Sequence, residues 1–480
     1  MADGMRPAGR IRGLKQRSLK QRGLAAIGWA VMASLVAALP AAAAPPRKAA
    51  AKKARAKKPP AVAAPAAPDT SPATAAVAHA LKDQARGRIG GFYASRGYWP
   101  LWVRGGAIIA AAAEFVGYLE TAGLDGLDPQ DYGLPALREA LASAKDGTPQ
   151  AVAAAELRLS QSFARYVRDV RRAPDAEITF LDAELAPQKL REDAVLRAAA
   201  LPSSFADYVK SMGWMSPLYV SRRAALATLV ESGGPADAER LLRLNLDRAR
   251  LLPGPWTRHV VVDAASARLW YYGDGRQQGT MRVVVGTPET PTPMLAGMVR
   301  YAILNPYWNI PPDLVARKVA PKMRAGGSLA ALGYQALSDW SAAPQALDDH
   351  AIDWQAVADG RAEVRVRQLP GGSNAMGRVK FMFPNDLGIY LHDTPDKALM
   401  KKEARFFSNG CVRLEDAQRL GAWFFGKPLK PAADTPEQNV PLPQPVPVYL
   451  TYLTAAPSAT GVTMLADIYG RDGGRAAASH

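Results

Sequence analysis

The chain has 480 residues, with 60 Lys and Arg against 43 Asp and Glu and a single cysteine. That length allows two or three domains, and one cysteine excludes a disulfide framework within the chain. The net charge of +17 resembles a nucleic-acid signal, but residues 1–58 hold 14 basic side chains and one acid, Asp3, leaving +4 for the other 422 residues. No basic face with interleaved aromatics is evident beyond them, so no nucleic-acid partner is expected. A wall polymer or a membrane surface suits the charge better.

Seven basic residues from Arg6 to Arg22 precede an apolar run over 24–39, then Pro40 and four alanines. This is the layout of a secretory signal with a small-residue cleavage site, so 1–44 is expected to export the chain. Pro45 just past the alanines favours the alternative, an uncleaved anchor at the inner membrane, although the run is short for a span. Residues 45–78 are rich in Ala, Pro and Lys with little that is large and apolar, the composition of a disordered linker.

From 79 to 252 apolar residues recur at three- and four-residue spacing, notably over 109–119, 152–170 and 222–230, with Gly and Pro breaks between. A helical domain is expected there, with Trp99, Trp102 and Tyr132 in its core. After Pro253-Gly254-Pro255 the period shortens. Runs at 259–263, 268–272, 281–285 and 299–304 read as strands separated by Gly/Asp turns. Residues 314–366 interrupt them with polar sequence expected to be helical over 314–323, 328–337 and 353–358, and to pack loosely. Strands resume at 380–383 and 388–392, a helix is expected over 415–425, and closing strands at 446–453 and 462–468. The domains are thus a signal or anchor (1–44), a linker (45–78), a helical domain (79–252), a mostly β domain (253–456) with an insertion (314–366), and a C-terminal strand and tail (457–480).

The cysteine stands in Arg405-Phe406-Phe407-Ser408-Asn409-Gly410-Cys411-Val412-Arg413-Leu414-Glu415. Ser-Asn-Gly is turn chemistry, and a helix starting just after it would put Cys411 where the positive dipole end favours thiolate. Arg413 adds a positive charge. A thiolate nucleophile needs a base, and the chain has five histidines: His79, His259, His350, His392 and His480. His392 ends the strand-like run Gly388-Ile389-Tyr390-Leu391-His392, where it can face a thiol on a following turn. His259, opening another strand, is the second candidate. No His/Cys/Asp cluster has metal-ligand spacing, so neither a metal nor another cofactor is expected.

His392-Asp393-Thr394 followed by Ser408-Asn409-Gly410-Cys411-Val412-Arg413 resembles the catalytic signature of the L,D-transpeptidases, cysteine enzymes that remodel bacterial peptidoglycan. Asn305-Pro306-Tyr307-Trp308-Asn309-Ile310-Pro311 resembles a second family segment. Arg367-Gln368-Leu369-Pro370-Gly371, with Asn374, Gly377 and the run from Lys380 to Asn385, resembles the approach to the site in the large periplasmic branch. The stretches from Phe92 to Trp102 and from Asp125 to Tyr132 resemble that branch's N-terminal scaffold domain. The peptidoglycan-binding repeat common in that branch is not found.

The resemblance implies an α+β chain: a helical scaffold domain, then a mostly β, sandwich-like catalytic domain with a helical lid insertion. It implies a periplasmic protein whose Cys411 attacks a peptidoglycan stem peptide and releases D-alanine, with His392 as base. Backbone N–H groups around Gly410 and Cys411 would hold the oxyanion, and Arg413, Asn409, Ser408, Tyr390, Trp308 and Asn385 would contact substrate. Asn409 replaces a histidine that many members carry, which removes a proton acceptor there. An L,D-carboxypeptidase, an enzyme joining a lipoprotein to the wall, and an inactive wall-binding protein are the alternatives. The acceptor and the oligomeric state are not legible.

Overall fold

The computed structural model of the protein describes residues 67–473 apart from 173–176, 342, 431–434 and 459–460. The expected signal at 1–44 and most of the linker lie outside the described residues. Within 67–78 the linker reading needs correction, because a helix begins at Pro72. Ser71 caps it by accepting from the Thr74 N–H, Pro72 supplies a first-turn residue that needs no donor, and Val77 and Leu81 are buried.

The scaffold comprises helices α1 (Pro72–Gln84), α2 (Gly87–Ala94), α3 (Ala111–Glu120), α4 (Leu134–Ser143), α5 (Pro149–Val170), α6 (Glu192–Ala199), α7 (Phe205–Lys210), α8 (Pro217–Glu231) and α9 (Ala236–Arg250). Two-residue strands β1 (Val103–Arg104), β2 (Ala107–Ile108) and β3 (Thr179–Phe180) lie among them. Helix α5 is the axis. Its buried positions Val152, Ala155, Leu159, Phe163, Tyr166 and Val170 follow the helical period. Trp102 packs edge-on against Phe163 and Phe205. Trp102 and Tyr132 are buried as expected, whereas Trp99 is half-buried. Glu156, fully buried, accepts from the Tyr93 hydroxyl at 2.5 Å and from the Leu101 and Trp102 N–H groups at 2.6 and 2.9 Å. Those bonds explain why a carboxylate is tolerated in an aromatic core.

The second domain is built on β4 (His259–Asp263), β5 (Arg268–Gly273), β6 (Arg276–Gly286), β7 (Leu295–Leu304), β8 (Trp308–Ile310), β9 (Tyr334–Leu337), β10 (Ala346–Leu347), β11 (Arg365–Gln368), β12 (Val379–Met382), β13 (Leu391–His392), β14 (Phe406–Ser408), β15 (Val412–Leu414), β16 (Gln438–Thr451), β17 (Ala455–Ser458) and β18 (Gly461–Met464). The main sheet runs β12-β13-β15-β6-β5-β4-β16-β7-β3. Because β12 pairs with β7 as well as β13, the sheet closes on itself as a barrel. Scaffold strand β3 extends it in parallel alongside β7, and one apolar core runs through both domains. The expected closing strand at 462–468 is instead the β17–β18 hairpin, packed against α8.

The insertion carries a separate antiparallel sheet, β10-β9-β11-β8, with helices α10 (Pro312–Leu314), α11 (Ala320–Arg324) and α12 (Trp354–Ala358). Ile310, Leu314, Val315, Val319, Met323, Ala336, Trp354 and Val366 form its own core. The expected looseness is therefore absent. The helix expected over 328–337 is replaced by strand β9, because pairing with β11 overrides local propensity. Ahead of Pro321 the backbone widens to a π turn over Val315–Val319, as the missing proline N–H breaks the regular ladder.

Candidate active site

Strands β13 and β15 lie side by side in parallel, with Leu391 opposite Val412 and His392 opposite Arg413. The Val412 N–H donates to the Tyr390 carbonyl at 3.1 Å. Leu391 and Val412 are buried in the barrel, so the alternate residues Tyr390, His392, Cys411 and Arg413 share its other face. The expected nucleophile and base thus lie at neighbouring positions of one strand pairing.

Helix α13 (Ala417–Phe425) corrects the expected environment of the thiol. It starts only after β15, capped by the Asp416 side chain on the Arg419 N–H. Its dipole is not delivered at Cys411. The thiol is half-buried and donates to the Gly388 carbonyl at 3.3 Å. Burial raises its pKa to about 11, against the opposing pull of the Tyr390 bonds and the Arg413 charge. His392 is 1% exposed, and its Nδ1 lies 2.6 Å from the Asp393 carbonyl. That contact makes Nδ1 the protonated nitrogen and leaves Nε2 as the acceptor. Burial and the Arg413 charge lower its pKa to about 3. Burial thus pushes both groups toward their neutral forms, thiol and imidazole.

Tyr390 stands against His392, ring centroids 6.0 Å apart, with its hydroxyl within hydrogen-bonding reach of the sulfur. Arg413 is half-buried and its guanidinium makes no hydrogen bond or ion pair among the described residues, while its charge acts on Cys411 and Asp396. Lys380 lies opposite His392 on β12 and reaches Glu437 at 3.3 Å and the Tyr307 carbonyl at 3.5 Å. It ties the Tyr307 segment to the site.

Three residues expected at the substrate have partners within the fold. Ser408 is 2% exposed; its hydroxyl donates to the Cys411 carbonyl at 2.6 Å and accepts from the Gly410 N–H at 3.2 Å. Asn385 clamps its own loop, donating to the Phe383 and Ile389 carbonyls and accepting from the Ile389 N–H. That loop presents the Gly388 carbonyl to the thiol. Trp308, on β8, packs against the insertion core. Asn409 is exposed at the tip of the turn. Gly410 has a φ of 104°, and a Cβ there would meet Ile389 Cδ1 at 2.9 Å, so only glycine fits. Since its N–H is taken by Ser408, the Cys411 N–H is the free donor next to the sulfur: it has no partner among the described residues.

His259 is fully buried on β4, stacked on Tyr272 and bonded through Nδ1 to the Thr257 carbonyl. Three strand spacings separate β4 from β15, about 14 Å. It belongs to the interdomain core. His79 and His350 are exposed, and His480 lies outside the described residues.

The sequence reading missed Thr292, and it quoted Arg405 and Asn374 within motifs without giving either a role. Arg405 donates to five carbonyls, of Val283, Lys402, Glu403, Ser266 and Ala267. Asn374 is fully buried and donates to the Pro306, Gln368 and Leu369 carbonyls. The Thr/Pro run Thr287-Pro288-Glu289-Thr290-Pro291-Thr292-Pro293 after a strand is the one sequence signal that could have drawn attention to Thr292.

Comparison with known proteins matches residues 257–427 to the L,D-transpeptidase catalytic domain and residues 87–226 to the scaffold domain. The β region is thus an L,D-transpeptidase catalytic domain, and the helical region before it is that family's scaffold. A Haemophilus influenzae protein named "Putative L,D-transpeptidase" is 28% identical over 391 residues, covering 79% of this chain and 77% of that one. A solved L,D-transpeptidase from Mycobacterium smegmatis is similar at 14% identity and a TM-score of 0.21, over 40% of this chain and 58% of that one. One from Enterococcus faecium is similar at 11% identity and a TM-score of 0.19, over 51% and 89%. The transpeptidase domain match ends close to the end of α13; the C-terminal hairpin and the segment after it lie beyond both matched regions. Among the described residues no helix is long and apolar enough to cross a membrane.

Proposed function

We propose that the protein is a peptidoglycan L,D-transpeptidase working through a thioester on Cys411. The observation that carries this is the shared face of Tyr390, His392, Cys411 and Arg413 on two paired strands. The donor is a stem peptide ending in diaminopimelate and D-alanine, as the family implies. The thiol sulfur bonds to the diaminopimelate carbonyl carbon while His392 Nε2 takes the thiol proton. The bond to D-alanine breaks, and the same proton passes to the leaving amine. An acceptor amine, such as the diaminopimelate side chain of another stem, then attacks the thioester, and its proton returns through His392 to the sulfur.

A neutral resting pair suits this sequence, because neither the thiol nor the imidazole has to hold a charge in a half-buried site until the carbonyl arrives. Arg413, with its guanidinium uncommitted, is a carboxylate-binding group beside the thiol. Export by 1–44 would put the enzyme in the periplasm, where the wall lies.

Incubation of purified protein with intact sacculi, followed by muropeptide analysis, tests the reading. Stems joined through diaminopimelate with loss of D-alanine are expected. Shortened stems without new cross-links would make the enzyme an L,D-carboxypeptidase, and an unchanged profile would leave a wall-binding protein. Arg413→Gln is expected to raise KM roughly 10-fold or more for a donor with a free terminal carboxylate and to change little for an amide-capped one.

A further inference from the structure

The peptide bond between Gly410 and Cys411 is held by a partner far away in sequence. Thr292, fully buried, donates its hydroxyl proton to the Gly410 carbonyl at 2.8 Å and accepts from the Gly286 N–H at 2.9 Å. In a planar trans peptide the C=O and the following N–H point in opposite directions. Holding the Gly410 carbonyl therefore decides where the Cys411 N–H points. This N–H has no partner among the described residues.

The loop carrying Thr292 is itself strapped down. The Tyr469 hydroxyl donates to the Gly286 carbonyl at 2.7 Å, and Arg471 donates to the Thr292 carbonyl at 3.1 Å. The next residue, Asp472, pairs with Arg248 of α9 at 2.7 Å, and Arg248 also donates to the Arg471 carbonyl at 2.6 Å. On the other side the Thr287 N–H and the Thr290 hydroxyl both donate to the Ser408 carbonyl, at 3.0 and 3.2 Å. Gly286 admits no side chain, since a Cβ would lie 2.1 Å from the Thr290 carbonyl oxygen. A continuous line of bonds thus runs from scaffold helix α9 through residues 469–472 to the nucleophile turn.

We infer that Thr292 is a positioning residue that aims the Cys411 N–H at the developing oxyanion, and that the C-terminal strap at Tyr469 and Arg471 holds Thr292 in place. The inference rests on Cys411 being the acylated nucleophile. Its consequence is specific: the strap governs stabilisation of a tetrahedral oxyanion but not the intrinsic reactivity of the sulfur. It also gives the scaffold a direct part in setting the site.

Two reactions of the same thiol separate these effects. Acylation by a carbapenem adds the sulfur to the lactam carbonyl, opens the ring C–N bond and leaves the thiol proton on the ring nitrogen, through an oxyanion. Alkylation by iodoacetamide displaces iodide and forms none. Thr292→Val is expected to slow acylation by roughly 10²-fold, the usual cost of a lost oxyanion donor, with alkylation within twofold of wild type. Thr292→Ser should restore acylation. Tyr469→Phe, which removes only a hydroxyl, should slow acylation a few-fold and leave the melting temperature close to wild type. If Tyr469→Phe and a folded Thr292→Val both acylate at the wild-type rate, or if alkylation falls in parallel with acylation, the strap proposal is wrong. If the wild-type chain is acylated equally well as Cys411→Ala, or not at all, the functional reading itself falls, and the proposal with it.

Discussion

The Nδ1 of His392 is bonded to the main-chain carbonyl of Asp393 at 2.6 Å. A carbonyl can only accept, so the bond leaves one tautomer, with a bare Nε2 on the face shared with Cys411. Many cysteine nucleophiles rely on a charged pair with imidazolium. Here burial acts on both partners in the direction of neutrality, raising the thiol and lowering the imidazole.

The first prediction is the pH profile of the free thiol. With a pKa of about 11, roughly one molecule in 10⁴ is thiolate at pH 7, so iodoacetamide alkylation should be slow and rise about tenfold per pH unit up to pH 10. A rate already level between pH 6 and 8 would show an ion pair and sink the neutral-pair reading.

Removal of the base should separate the two buried histidines. His392→Ala is expected to slow carbapenem acylation by ~10²–10⁴-fold, the range for a positioned acid/base group. His259→Ala should lower the melting temperature, since it opens a cavity against Tyr272, while the acylation rate of the folded fraction stays near wild type. A larger acylation loss in His259→Ala than in His392→Ala would transfer the role.

Acid stability follows from the same burial. Both histidines have folded pKa values below the ordinary 6.5, about 3 for His392 and about 4 for His259. Between these values and 6.5 the unfolded chain binds protons that the folded chain refuses, so stability falls as pH drops through that window. For His259 the loss between pH 7 and pH 4 is roughly 3 kcal/mol. Urea unfolding of wild type and His259→Phe at both pH values isolates it from the carboxylates. The variant should gain about that much relative to wild type at pH 4, and a constant difference would contradict the assignment.

Arg405 should prove a stability residue with a catalytic readout. Its guanidinium is surrounded by five carbonyls six residues before Cys411, so Arg405→Ala leaves buried acceptors unmatched and should cost about 3 kcal/mol or more in urea unfolding. Arg405→Lys should recover little, because a point charge cannot span that fork. Full recovery by lysine would show that charge alone matters.

Much of this protein was legible in its residues. The signature around Cys411 and His392, the shift from helical to strand period near Pro253, and the apolar period of α5 are local features. Local patterns survive in a sequence because they are imposed by the backbone's own geometry. The strand His259–Asp263 is where the strand-like run placed it, and the scaffold aromatic Trp102 is in the core. What the sequence could not state was decided by contacts between distant segments. Barrel closure depends on β12 meeting β7 as well as β13. The insertion is well packed because Ile310 and Val366, at its two ends, share one core with Trp354 between them. Ser408 and Asn385 bond the turn and the loop through their polar atoms, partners that the motif does not display. Thr292 meets the Gly410 carbonyl across 118 residues. The protonation state of the thiol and the imidazole is set by how completely the fold removes water from them, a quantity that exists only once the chain has closed around Cys411 and His392.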